Sequence, residues 1–280
     1  MNMTISNADI ISFQSHLLDM ERSPATIQKY LRDVTAFALW LGDRPITKEN
    51  TMAWKAKLVA SNRAPVGINA TLSALNSFLR YAGFDDCRVR FLKVQRRTYR
   101  DESRELTEKE YHRLVAAAER LGRDRLALVL QTVCSTGIRV GELKFITVEA
   151  IQRGEATISL KGKVRYIVLP KKLCRKLLQY CRQHKITTGE VFLTRGGRSM
   201  GRSQIWAEMK KLCAEARVAP SKVFPHNLRH VFAVSFYNKY HDVVRLADVL
   251  GHSSVNTTRI YLMTSGAEHR QQIDGLGLVA

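Results

Sequence analysis

The chain has 280 residues, 45% of them hydrophobic, enough for two ordinary domains and a sizeable core. Its 45 Lys and Arg outnumber 25 Asp and Glu, a formal net charge of +20 spread over both halves, and such a surface attracts a polyanion, with nucleic acid the default partner. The start "MNMTISNADII" has no cationic lead into an apolar core, no apolar run approaches the length of a membrane span, and the five scattered cysteines form no C-x-x-C pair. A secretory leader, a membrane segment, a disulfide frame and a cysteine zinc site are therefore not expected, and the cysteines read as reduced cytosolic thiols.

Helical periodicity governs residues 8–83. Ile10, Phe13 and Leu17 begin a first stripe. Ser23-Pro24 reads as an N-cap followed by proline at the first helical position, and Ile27, Tyr30, Leu31, Val34, Phe37 and Leu41 then share a face that ends at Gly42. Thr47 caps a third helix through Trp54 and Leu58. Ile68, Leu72, Leu75 and Leu79 mark a fourth that stops at Gly83. Residues 1–92 thus form a small helical domain, and the polar run 93–104, "KVQRRTYRDESR", reads as a linker to a second domain, 105–280. Arg96, Arg97 and Arg100 in that run are candidates for following a phosphate backbone, or are simply solvated.

In the second domain, Thr107 and Glu110 form a capping-box pattern. A second helix runs through "LALVLQTVCST" to Gly137 as its C-cap. "ATISL" and "VRYIVLP", rich in β-branched residues, flank "KGK" and read as a hairpin. Helical patterns cover 171–184 and 203–217. A further helix starts at Pro225, "LADVL" ends one at Gly251, and a short helix from Ser253 or Ser254 is expected to carry Tyr261. The fold class expected is mainly α with a small β-sheet.

"FPHNLRH" concentrates the chemistry. On a helix, His226, Arg229 and His230 share one face near the N-terminus, where unpaired backbone N–H groups and the helix dipole already favour an anion. A guanidinium grips a phosphate with two parallel bonds, and imidazoles donate hydrogen bonds and move protons near neutrality. A zinc pair at i, i+4 is the rival, but Asn227 holds the position of the glutamate in H-E-x-x-H and no third ligand is evident. Arg139 follows a helix stop, with Glu142 three residues on to orient it. Lys161 and Lys163 sit at the hairpin tip, His252 follows Gly251, and Tyr261 comes nine residues after His252. Taken singly, each of these is an ordinary surface or core residue.

Taken in order, Arg139 in "TGIRVGEL", Lys161 in "LKGKVRYIVLP", His226 and Arg229 in "HNLRH", His252 in "LGHSS" and Tyr261 in "TTRIY" resemble the tyrosine recombinase, or phage integrase, family, in its Xer-like or simple transposon-integrase form. The resemblance covers about 105–265 and extends more weakly over 8–83. It implies a two-domain DNA clamp made of a helical, SAM-like core-binding domain and a catalytic domain. It also implies site-specific recombination through a 3′-phosphotyrosine intermediate. Tyr261 would be the nucleophile, Arg139 and Arg229 the phosphate clamp, His252 a donor, His226 the acceptor of the tyrosine proton and Lys161 the proton source for the leaving oxygen. Lys163 would contact DNA or compete with Lys161. His230 falls outside the minimal set and would pack or support His226.

The same resemblance implies double-stranded DNA target sites as partner, a homo-oligomer (a tetramer) on DNA, no cofactor and no metal. Placement is expected in the cytoplasm with the nucleoid, away from membranes. The segment after Tyr261, with Ile273, Leu276 and Leu278, would dock on a neighbouring subunit or fray. The helical pattern begins so near residue 1 that a further amino-terminal arm-binding domain is not expected. A type IB-like topoisomerase and a non-catalytic DNA-binding protein on the same scaffold are the alternatives. A metal-dependent nuclease is third, since no carboxylate cluster stands out.

Overall fold

The computed structural model describes residues 5–95, 102–160, 163–262 and 266–278, and the chain divides into two compact units, Met1–Arg96 and Arg97–Ala280. The three arginines nearest their junction that the sequence singles out, Arg96, Arg97 and Arg100, lie outside the described residues, as does Lys161.

The first unit is built from α1 (Asn7–Asp19), α2 (Pro24–Leu41), α3 (Lys48–Ala60) and α4 (Pro65–Tyr81). Each of the first three starts where a side-chain oxygen caps it. Ser6 and Asp9 form a reciprocal box, Ser23 accepts from the Thr26 N–H, and Thr47 accepts from the Asn50 N–H. The apolar stripes of these helices then meet in one core, with Phe13, Leu17, Val34, Phe37, Leu72, Leu75 and Leu79 removed from solvent.

The second unit opens with α5 (Glu108–Arg120), capped at its start by the Thr107–Glu110 box, and α6 (Asp124–Thr136), which stops at Gly137 in a left-handed conformation. A 3₁₀ turn over Val140–Phe145 and α7 (Val148–Arg153) lead into β1 (Glu155–Leu160) and β2 (Lys163–Val168). The strands pair antiparallel from Glu155↔Val168 to Leu160↔Lys163. Then come α8 (Lys171–Gln183), α9 (Arg202–Lys210), α10 (Cys213–Ala216), α11 (Pro225–Tyr240), α12 (Val243–Leu250), α13 (Val255–Thr258) and α14 (Gly266–Asp274).

Two expectations need adjusting. The helix expected over 203–217 is broken between α9 and α10, so that Leu212 turns into the core. Tyr261 does not ride an α-helix: α13 ends at Thr258, and the tyrosine sits in a 3₁₀ turn, Arg259–Leu262. A tighter turn, with three residues per revolution, redirects the side chain inward.

The core of this unit is almost wholly aliphatic, with α6 at its centre: Leu126, Ala127, Val129, Leu130 and Val133 are all buried. One helix buried on most sides gives its C-terminal end, Gly137 to Arg139, a rigid base. A smaller cluster of Ala233, Leu246, Leu250 and Tyr261 links α11 and α12 to the tyrosine turn.

Candidate active site

Arg139 leaves α6 in extended backbone immediately after the Gly137 stop. Gly137 cannot carry a side chain: its φ is +67°, and a Cβ there would stand 2.5 Å from the Phe232 ring. The following carboxylate fixes the arginine. Glu142 Oε2 accepts the Arg139 backbone N–H at 2.7 Å and Oε1 accepts its guanidinium at 3.2 Å. Glu142 is buried, while about half of the Arg139 side chain remains open to solvent. The arginine is thus held at its base and free at its head.

Arg229 is the opposite case. It projects from the first turns of α11 and is only 2% exposed. One Nη1–H reaches Gly137 O, and Nη2 donates to Leu250 O at 2.7 Å and meets His252 Nε2 at 2.9 Å. A guanidinium has five N–H donors and no acceptor; three serve these contacts, and the Tyr261 side chain hydrogen-bonds to the same group. Burial, followed by the neighbouring charge of Arg139, lowers its pKa to about 10, and Tyr261 opposes that shift. It stays cationic at neutral pH.

His252 follows Gly251, which ends α12 at φ +64°. Because Arg229 can only donate, Nε2 of His252 is the accepting nitrogen, and its Nδ1 proton points to Thr258 Oγ1 at 2.8 Å. Desolvation first, then the charges of Arg229, Arg139 and Arg165, brings the imidazole pKa down to about 4. His226, exposed at the start of α11, is shifted the same way by desolvation and by Arg229, Arg202 and Arg139. Both rings are neutral near pH 7.

Tyr261 lies in the middle of this set, 4% exposed. Its ring centroid is 6.1 Å from that of His252 and nearly parallel to it, 6.4 Å from His226, and 5.2 Å from His230 in an edge-on arrangement. His230 thus packs against the tyrosine, with Nε2 3.6 Å from Glu105. Asn227, the residue in the glutamate position of the metal-site alternative, turns away from the histidines to donate to Arg104 O and Lys222 O. Among the described residues, no group of three or more His, Cys, Asp or Glu could hold a metal ion.

Of the residues singled out in the sequence, the structure brings Arg139, His226, Arg229, His252 and Tyr261 together. Lys163 begins β2 opposite Leu160, and its side chain lies outside the described set. Arg165 and Thr258 were not singled out. Arg165 gives one signal in the sequence: it shares strand parity with Ile167, the inward face of β2. Thr258 gives none, because its contact with His252 is set by how the chain folds back.

Residues 104–267 match the phage integrase family and residues 10–83 match its N-terminal SAM-like domain. Over 99% of its length the chain is 26% identical to the tyrosine recombinase XerA of Pyrococcus furiosus, of which it covers 96%. It is 27% identical to the tyrosine recombinase XerD of Xanthomonas campestris over 89% of this chain and 84% of that one. In fold it is similar to crystal structures of XerA recombinase (TM-score 0.53, 24% identity, covering 96% of this chain and 98% of that one) and of a lambda integrase dimer bound to a COC′ core site (TM-score 0.71, 19% identity, 91% and 76%). Every residue gathered around Tyr261 falls within the stretch that matches the catalytic part, and on that footing the chain belongs to the phage integrase family.

Proposed function

We propose that this chain is a tyrosine-type site-specific recombinase that breaks and rejoins duplex DNA through Tyr261. The observation that carries the assignment of the nucleophile is the gathering of three imidazoles around the ring of one buried tyrosine whose side chain hydrogen-bonds to Arg229, beside the half-open guanidinium of Arg139.

In the cleavage step, Tyr261 Oη forms a bond to phosphorus as the bond from phosphorus to the 5′-oxygen breaks, leaving a 3′-phosphotyrosine and a 5′-hydroxyl. Covalent storage of the bond lets a second strand's 5′-hydroxyl reverse the step with no nucleotide cofactor. The tyrosine proton passes to His226, whose lowered pKa keeps its ring neutral and able to accept it. Arg139 and Arg229 hold the non-bridging oxygens and offset the charge that develops on them. A bound phosphodiester competes with His252 for Arg229 and, being anionic, raises the imidazole pKa. Nε2 then takes a proton from solvent and donates to the same phosphate. Lys161 protonates the leaving 5′-oxygen.

Around the chemistry, both units contact duplex DNA, with Arg96, Arg97 and Arg100 as partners for the phosphate backbone and Lys163 as a further DNA contact. Exchanging strands between two duplexes requires a nucleophile for each of four strands, which makes the working form a tetramer. Ile273, Leu276 and Leu278 are all exposed on the tail and suit docking on a neighbouring protomer. A DNA substrate makes the nucleoid, in the cytoplasm, its place of work.

The test is Tyr261→Phe. The ring still packs and duplex binding is expected to survive, while the covalent protein–DNA adduct disappears. An adduct in the Phe variant would assign the nucleophile elsewhere. Joining of strands from two separate duplexes by the unmodified protein distinguishes recombination from topoisomerase action, which rejoins only the original strands.

A further inference from the structure

Arg165 stands on β2 in register with Ile158. Strand alternation gives it the inward face it shares with the buried Ile167, whereas Val164, Tyr166 and Val168 face out and are exposed. A charge on the inward face must find partners there, because burial without them is strongly disfavoured. Its partners come from two remote turns. Nη2 donates to Oε2 of Glu142, the same carboxylate that holds Arg139. Nη1 donates to Val249 O at 3.1 Å. Gly251 closes on the same side chain: a Cβ there would stand 2.6 Å from Arg165 Cδ. One guanidinium therefore touches the turn that presents Arg139 and the turn that presents His252, from the strand that follows Lys161.

We propose that Arg165 is a positioning residue for the cleavage step: it sets the separation of Arg139 and His252 and ties the hairpin to both. The proposal rests on the reading that Arg139 and His252 grip the scissile phosphate. Arg165 itself is not a phosphate ligand, since its side chain is 16% exposed, Nη1 and Nη2 are engaged by protein oxygens, and Nε is buried. Reaching two acceptors on different turns requires two N–H arms at a fixed angle. Lysine supplies the charge from a single nitrogen and cannot span them.

That difference makes Arg165→Lys the decisive variant. The full-length protein is assayed on a duplex carrying the cleavage site recovered from the unmodified protein's own covalent adduct, with melting temperature, duplex affinity and single-turnover adduct formation measured separately. Misplacing a catalytic group by about an ångström costs about a hundredfold in rate. Arg165→Lys is therefore expected to fold and to bind duplex as the unmodified protein does, yet to form adduct about a hundredfold more slowly. Glu142→Gln is expected to show the same pattern, and the double variant to be no slower than the slower single, because both remove one linkage. Adduct formation at the unmodified rate in Arg165→Lys would overturn the proposal. So would a rate loss explained by weaker duplex binding, losses that multiply in the double variant, or an Arg165→Lys protein that no longer folds, which would make the residue a core stabiliser. Failure of the unmodified protein to form any adduct would instead overturn the reading on which the proposal rests.

Discussion

Arg229 donates to Nε2 of His252 across 2.9 Å, and Nδ1 of that ring faces Thr258 Oγ1 at 2.8 Å. Held between a permanent cation and a hydroxyl, the imidazole has no room for a second proton, so the DNA-free site rests with Arg229 charged and His252 neutral. Phosphate binding then has a defined proton consequence at one ring.

That neutrality makes stability depend on pH. His252 has its pKa lowered from 6.5 to about 4 in the folded chain. Above 6.5 both folded and unfolded chains carry the neutral ring, and the contribution is fully present. Between 6.5 and about 4 the unfolded chain takes up a proton that the folded chain refuses, so stability falls as pH falls, by about 1–2 kcal/mol once solvent screening of the partly open ring is counted, and levels off below about 4. Melting curves of the unmodified protein and of His252→Gln at several pH values between 7 and 4 should show the unmodified protein losing ground steadily to the variant. A constant difference would mean that the ring titrates normally.

Gly137→Ala should be costly in two ways. Its φ of +67° is strained for alanine, and the new methyl would meet the Phe232 ring at 2.5 Å. Together these effects amount to about 2–4 kcal/mol of lost stability in a urea melt. Because Gly137 O is an acceptor for Arg229, adduct formation should fall further than the fraction unfolded accounts for. Activity that simply tracks the folded fraction would detach this carbonyl from the site.

How much of this was legible in the sequence follows the range of the contacts. Ser23-Pro24, Thr107 with Glu110 and the Gly137 stop are local patterns, and each reappears as an observed cap. The order from Arg139 to Tyr261 marked the site residues because each motif sits at a helix end or turn. The break between α9 and α10 was not legible, since the core it serves, around Leu212, is tertiary. Nor was the part played by Arg165, whose partners Glu142 and Val249 lie 23 and 84 residues away. The 3₁₀ turn under Tyr261 escaped for the same reason: α13 ends at Thr258, whose hydroxyl meets His252 six residues back.

Duplex binding should weaken steeply with salt. A net charge of +20 spread over both halves of the chain can neutralise several phosphates. Each neutralised phosphate adds about −0.9 to the slope of log K against log salt, so a slope of about −5 or steeper is expected. A nearly flat dependence across a salt titration would argue against a clamp on the backbone.

Removing residues 268–280 should impair recombination of two sites more than binding of one protomer to one site. Ile273, Leu276 and Leu278 are 54%, 62% and 85% exposed, apolar surface that another copy can cover. Full-length rates from the truncated protein in a two-site assay would dismiss a docking role for the tail.

The most direct test maps the covalent linkage itself. Duplex DNA is incubated with the unmodified protein in EDTA, the adduct is digested, and the modified peptide and the DNA ends are analysed by mass spectrometry and end-labelling. The expected result is a phosphodiester from the Tyr261 hydroxyl to the 3′ end of the cut strand, with a free 5′-hydroxyl opposite it. A linkage to the 5′ end, attachment at any other side chain, or cleavage without attachment that requires a divalent cation would contradict Tyr261 as the nucleophile of a recombinase site.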